Sequence, residues 1–414
     1  MKRSLALGFL SALICLAIIL TYKYPTKPMT EQAFTNNTSK QNDTNTLQDI
    51  DTKKTFVITE LGCPSKKSYS EKQLNSRVPW DMAVFNGKLF LGCGDYDQNT
   101  GPCDIWQLDL TANEWSVSDM VDDEAVMNFE IIDQNLIATG TDPKGSWTNG
   151  SFYTLISDGW QTDRTVPFAI HMFDIAKFNG KTFYAIGNQS NAQSPIQITS
   201  DGITYTNAPF YIDGVALIDN PDYGFSRCYN LFESDSDLFA FCWFNDSNNQ
   251  PKMVGIFKFD GQAFHYVSTL TDLGAINRGN NRQLPLNKAI TYDNKFFFST
   301  GYLYSTDSFE SLNKINIPND PYVQDMTVNE GNLYILTSTK NGEDAFLNTI
   351  WEYTQAHGLK EIYSFPLEQS AITLEKYNDA YFVGIGQMTD LTTAPTDGDS
   401  PPLLNGYILK LELK

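Results

Sequence analysis

Residues 78–115 read VPWDMAVFNGKLFLGCGDYDQNTGPCDIWQLDLTANEW, and this stretch decides the architecture. An alternating run, DMAVF, meets a second, KLFLG, across Asn86-Gly87. That dipeptide favours the two-residue turn of an antiparallel hairpin. The polar loop DYDQNTG leads to a third run, DIWQLDL, and TANEW turns the chain again.

Six later stretches repeat the hairpin. They are NFEIIDQNLIATG from Asn128, DIAKFNGKTFYAIG from Asp174, NLFESDSDLFAFCW from Asn230, KAITYDNKFFFSTG from Lys288, DMTVNEGNLYILT from Asp325 and TLEKYNDAYFVGIG from Thr373. Leu89, Leu136 and Phe183 open the second strands of the first three units, 47 residues apart each time. Third strands follow as SFYTLI, PIQIT, VGIFKF, YLYST, TIWEY and YILKLEL. Units of this period with four short strands each are the signature of a β-propeller, whose ring removes long exposed edges. The seventh unit stops at its third strand, because the chain ends at Lys414, while TFVITEL at 55–61 precedes the first unit. The expected fold is all-β: a seven-bladed β-propeller over residues 55–414, with the N-terminal strand completing the last blade.

At the level of blade grammar the chain resembles propellers of the kelch and Asp-box type. Ser305-Thr306-Asp307 is similar to an Asp-box turn, but Phe309 stands where Gly belongs and Leu312 where Trp belongs. Ser200-Asp201-Gly202 with Tyr205 and Ser157-Asp158-Gly159-Trp160 are shortened versions. The kelch double glycine is replaced by Gly92-Cys93-Gly94 and Gly384-Ile385-Gly386.

The 414 residues carry a net charge of -20, which argues against nucleic acid and anionic lipid surfaces as partners. Lys2 and Arg3 precede an apolar run over residues 5–20, and Lys23 and Lys27 follow it. With no small-residue cleavage point after the run, residues 1–22 read as an uncleaved N-terminal anchor, with a cleaved signal as the alternative. Residues 23–54, rich in Thr, Asn, Gln and Asp, read as a flexible tether. The expected location is therefore membrane-anchored with the propeller outside the cytoplasm, periplasmic or extracellular, or secreted if the segment is cleaved.

Cys93 and Cys103 lie symmetrically about Gln98, and Cys228 and Cys242 about Asp235. Residues placed symmetrically about a hairpin turn face each other, so two cross-strand disulfides are expected, against the alternative of buried thiols. Cys63 has no partner legible in the sequence.

Aligning the units on their turns brings Asp81, Asn128, Asp174, Asn230, Lys288, Asp325 and Thr373 to one position, each followed by an apolar residue. Strand alternation sends the two positions to opposite faces, so the polar set should ring the central channel. Either water and internal pairing satisfy this ring, with Lys288 on an Asp, or its oxygens hold a cation or small polar ligand. Arg77, His171 and Arg227 fall at the expected channel mouth. The loop Asp95-x-Asp97-x-Asn99 resembles the start of a calcium loop, although Thr100 occupies the glycine position and no Glu closes it. Calcium is the cofactor these donors would take; an ordinary turn is the alternative.

Three functions remain open. A binding module would present its loop face to a glycan, peptide or protein, with the membrane reached through the N-terminal segment only. Arg77-Val78-Pro79 is similar to the Arg-Ile-Pro of sialidases, a resemblance that implies a substrate carboxylate on Arg77 in a glycan-processing enzyme. That activity also needs two further arginines, a Tyr–Glu nucleophile pair and an acidic proton donor. A scaffold role is the third.

Overall fold

The computed structural model describes residues 55–68, 77–94, 101–145, 148–157, 159–188, 193–248, 250–275, 288–342, 345–386 and 405–414. The expected anchor and tether, and the loop bearing Asp95, Asp97 and Asn99, lie outside these residues. Among the described residues no helix is long and apolar enough to cross a membrane. Apart from one short 3-10 turn at Pro64–Lys67, they form strands and turns.

The strands fall into successive antiparallel groups of four. The first group contains Asp81–Phe85, Lys88–Gly92, Cys103–Asp109 and Glu114–Val121, hydrogen-bonded in chain order. Its hairpin closes through Asn86 at φ 50 and Gly87 at φ 74, the left-handed pair that the sequence anticipates. Later groups begin with the innermost strands Asp123–Ile132, His171–Phe178, Tyr223–Glu233, Lys288–Tyr292, Tyr322–Asn329 and Ala371–Tyr377. These innermost strands lie against one another in chain order, and the seventh lies against the first. The arrangement is that of a β-propeller.

The chain ends meet within one sheet. Phe56–Gly62 pairs antiparallel with Ile408–Leu413, placing Phe56 opposite Leu413 and Glu60 opposite Leu409. The strand at the start of the fold thus supplies the outer edge that the last group lacks. One element was not legible in the sequence. Phe210–Ile212 and Val215–Ala216 form a small hairpin whose first strand pairs in parallel with Phe264–Ser268 and extends the fourth group outward.

Each group buries both faces against its neighbours, so the core is divided among the interfaces. Between the fourth and fifth groups its centre is phenylalanine: Phe232, Phe239, Phe296 and Phe298 surround Phe309. Phe309 is fully buried at φ 57, and its N–H donates to Thr306 Oγ1 at 2.9 Å. The turn therefore keeps the left-handed backbone that the Asp-box pattern assigns to Gly. The cost of that conformation, about 1–3 kcal/mol, is offset by burial of an aromatic ring, about 1.5–3 kcal/mol.

The two expected disulfides have different outcomes. Cys228 and Cys242 are directly opposite in the fourth group and are bonded. Cys93 and Cys103 are separate buried thiols, which corrects the symmetric placement. Leu91 pairs with Trp106, and this register sets Cys93 against Asp104, one residue from Cys103. Cys93 Sγ instead donates to the Asp104 carbonyl at 3.5 Å. Cys63 Sγ donates to the Asn405 carbonyl at 3.6 Å, at the seam where the chain ends meet.

Candidate functional site

The aligned polar position falls at an equivalent place on every innermost strand, and Lys288 brings Asp81 and Asp325 together there. Each of its residues pairs with the second strand at an equivalent place, for example Asp81 with Gly92, Asn128 with Thr139, Asp174 with Ala185 and Lys288 with Ser299. In five groups a bulge immediately precedes it, at Met127, Phe173, Tyr229, Gln324 and Ile372. A bulge inserts one residue, breaks strict alternation and re-aims the side chains beside it.

The ring's aspartates serve as staples. Asp81 Oδ2 accepts the Phe129 N–H at 2.8 Å, Asp174 Oδ2 the Leu231 N–H at 2.7 Å, and Asp325 Oδ2 the Leu374 N–H at 2.7 Å. Each carboxylate thus ties its innermost strand to the next. Asp174 and Asp325 use their other oxygens on the N–H groups of Ile175 and Met326. Lys288 connects two staples. Its Nζ donates to Asp81 Oδ1 at 3.1 Å and lies 3.5 Å from Asp325 Oδ1. The first and fifth groups are not neighbours, so this ammonium reaches across the channel.

Further carboxyls that the sequence reading missed surround the ring. Glu130 accepts from Asn128 Nδ2 at 3.1 Å, Glu375 from Val84 N at 3.3 Å and Thr327 Oγ1 at 3.0 Å, and Glu233 from Lys177 N at 3.1 Å. Glu130 and Glu375 stand two residues after Asn128 and Thr373, so one more period-2 step along those strands would have found them. Glu233 carries no comparable signal.

With so many carboxyls near one lysine, ionisation is disfavoured. Burial, opposed by the Asn128 hydrogen bond and the Lys288 charge, pushes Glu130 up to about 7. Burial pushes Glu375 up to about 8 and Asp325 up to about 6, the latter against the pull of Lys288. Asp174 rises well above the usual carboxylate range through burial and the nearby Glu130. Burial opposes the Lys288 charge, but Asp325 and Asp81 outweigh it and raise that pKa.

The rim above the ring differs in chemistry. A continuous row of backbone pairs joins the second, third and fourth groups: Thr141 to His171, His171 to Gly187, Gly187 to Arg227 and Arg227 to Trp243. Gly187 permits this approach, because a Cβ there would meet His171 Cδ2 at 2.7 Å. His171 stacks on Phe173 with centroids 5.3 Å apart, Phe173 meets Tyr229 at 4.6 Å, and Tyr229 meets Trp243 at 6.4 Å. Arg227 lies over Phe225 at 5.5 Å and reaches the Tyr229 hydroxyl. His171 Nδ1 is 3.3 Å from Asp142 Oδ1 but out of hydrogen-bonding line. Burial, with Arg227 adding to it, pulls the imidazole down to about 3, so the ring is neutral and the contact is not an ion pair.

The other arginines of the described residues stand apart, while Arg278 and Arg282 lie outside those residues. Arg77 is buried at the seam of the chain ends, its carbonyl packed on Gly406. Arg164 lies on the outermost strand Gly159–Pro167 and pairs with Asp122 at 3.4 Å. The Asp123–Tyr153 hydrogen bond is buried in the apolar core. Nothing in this set forms the arginine cluster that a sialidase-like site requires. Among the described residues no three His, Cys, Asp or Glu side chains are grouped to hold a metal ion.

No family model matches the chain, and no curated protein matches it. Among solved structures, virginiamycin B lyase from Staphylococcus aureus aligns over 87% of this chain and 100% of its own, with 12% identity and a TM-score of 0.48. The β-propeller domain of the Trilobed protease from Pyrococcus furiosus covers 68% of this chain and 82% of its own, with 11% identity and a TM-score of 0.39. BamB from Moraxella catarrhalis covers 81% of this chain and 83% of its own, with 10% identity and a TM-score of 0.33. At these values the likeness reaches neither a family nor an activity.

Proposed function

We propose that the chain is a closed seven-bladed β-propeller, tethered to a membrane outside the cytoplasm, that binds a glycan, peptide or protein ligand at the rim of its channel. Blade number is supported by the innermost strands, which follow one another in chain order and return from the seventh to the first. The binding role is carried by one observation at the rim. Arg227 lies over Phe225 and reaches the Tyr229 hydroxyl, half-buried, and no carboxylate of the described residues lies within ion-pairing distance. In a chain with 49 acidic and 29 basic residues, an arginine set among rings without an acid is a recognition feature rather than part of a solvated face.

Binding of the full-length protein to glycan and peptide arrays, compared with R227A/Y229A, tests this reading. A ligand lost by the variant while a cooperative melting transition reports that it is folded is expected. A variant that folds and retains every ligand would refute it. Calcium is a separate proposal for the loop at Asp95, Asp97 and Asn99. Melting with calcium and with chelator checks it.

A further inference from the structure

We infer that Cys63 and Cys93 are a redox pair that closes into a second disulfide, tying the strand that completes the last group to the first group. Cys63 directly follows the closing strand Phe56–Gly62, and Cys93 directly follows Lys88–Gly92. Both are thiols in the structure, while the Cys228–Cys242 bond shows that this chain takes disulfides. A bond between them would join the last sheet to the first at the seam of the chain ends.

Strand alternation places Cys93 on the face that Cys63 approaches. Gly92 and Gly94 both turn their Cβ positions toward the second group, where an added carbon would meet Val126 O at 2.5 Å and Glu124 O at 2.2 Å. Cys93, between them, is sent the opposite way. Cys103 is on the second group's side, within electrostatic reach of Asp123. The chain around Cys63 reaches the Cys93 side by two routes. Along the third strand of the first group, Ser68 Oγ donates to Asp104 Oδ2 and the Lys67 ammonium lies 6.0 Å from the Trp106 ring, while Cys93 Sγ donates to the Asp104 carbonyl at 3.5 Å. Residues 77–80 make the second route. Cys63 Sγ and Arg77 pack together around Gly406, and Trp80 donates its N–H to Gly92 O at 3.0 Å and its Nε1–H to Gly94 O at 2.8 Å, on either side of Cys93. Burial keeps the Cys93 thiol neutral, and the charges of Asp104 and Cys63 add to that effect.

The half-buried Cys63 is open to a small disulfide such as oxidised glutathione, whereas Cys93 is fully buried. The Cys63 thiolate attacks one sulfur of the reagent, forming a mixed disulfide and releasing one glutathione. Cys93 sulfur then attacks Cys63 sulfur and displaces the second glutathione, whose thiolate takes the Cys93 proton. Two protein thiols are oxidised, and one glutathione disulfide is reduced to two thiols.

The test is to incubate the full-length protein with oxidised glutathione, quench it with N-ethylmaleimide, digest it without reductant and map the peptides by mass spectrometry. A Cys63–Cys93 peptide is expected, retained in Cys103→Ser and lost in Cys63→Ser. The treatment should also raise the wild-type melting transition by about 5 °C and leave that of Cys63→Ser unmoved. A Cys93–Cys103 peptide in its place would overturn the pairing. Cys63 carrying only glutathione, with Cys93 alkylated once the protein is denatured, would overturn the closure, as would recovery of all three thiols alkylated.

Discussion

The ring and the rim lie on the same innermost strands and are built to opposite specifications. In the ring, aspartates are bonded to backbone N–H groups of the next strand, and Lys288 joins two of them across the channel. In the rim, an arginine lies among aromatic rings without an acid in reach, and Trp243 Nε1 lacks a protein partner among the described residues. The ring's aspartates and lysine form a bonded polar network, which adds rigidity and resists change; an arginine beside aromatic rings and without an acid is what a ligand can use. The difference teaches that the more conspicuous sequence feature, the polar ring, is the structural one.

Removing residues 55–62 should have the largest effect. It exposes the edge of Ile408–Leu413 and breaks the seam on which Arg77 and Gly406 pack, so ring and rim should fail together. A truncated protein that melts like the full chain would refute closure by this strand.

Lys288→Met comes next. It leaves Asp81 and Asp325 facing each other in the channel without a counter-charge, and should cost about 3–5 kcal/mol by chemical denaturation, as for a broken buried ion pair. Little change would mean that the network is solvated and that the contrast with the rim is weaker than drawn.

The ring also sets a pH dependence. Unfolded glutamates release protons near pH 4.3, whereas folded Glu130 and Glu375 hold theirs to about 7 and about 8. The folded chain therefore binds more protons across that interval. The contribution of these groups is complete below about pH 4.3 and is lost as the pH rises through 7 and 8. Stability should decline between pH 5 and 8, and Glu375→Gln should flatten the decline by about 1–3 kcal/mol. A variant whose melting profile runs parallel to the wild type would assign the slope elsewhere.

Arg227→Gln should have the smallest effect on stability, within about 0.5 kcal/mol, because the guanidinium is part of no ion pair among the described residues. Its effect should appear in binding alone. A large loss of stability would place Arg227 with the ring and erase the distinction.

Much of this was written in the chain. Pairs such as Asn86-Gly87 and Asn179-Gly180, flanked by alternating residues, specify hairpins, because few residue pairs tolerate two left-handed positions in succession. Equal spacing from those turns located Asp81, Asn128, Asp174, Asn230, Lys288, Asp325 and Thr373, since a strand with its turn fixed has only one register. The same symmetry identified Cys228 and Cys242 but failed for Cys93 and Cys103, where the register is shifted by one residue.

Tertiary structure decided what those residues do. Whether Asp174 meets water, a cation or the Leu231 N–H depends on how close the next strand lies, and that distance is set by packing rather than by local sequence. Phe173 and Tyr229 escaped the sequence reading because alternation assigns them away from the ring residues that follow, and only a bulge brings them to the rim. Local spacing therefore determined the strands, their turns and the polar ring. Contacts between strands distant in the chain determined which ring carboxylates are bonded to the next strand and which aromatic rings meet at the rim.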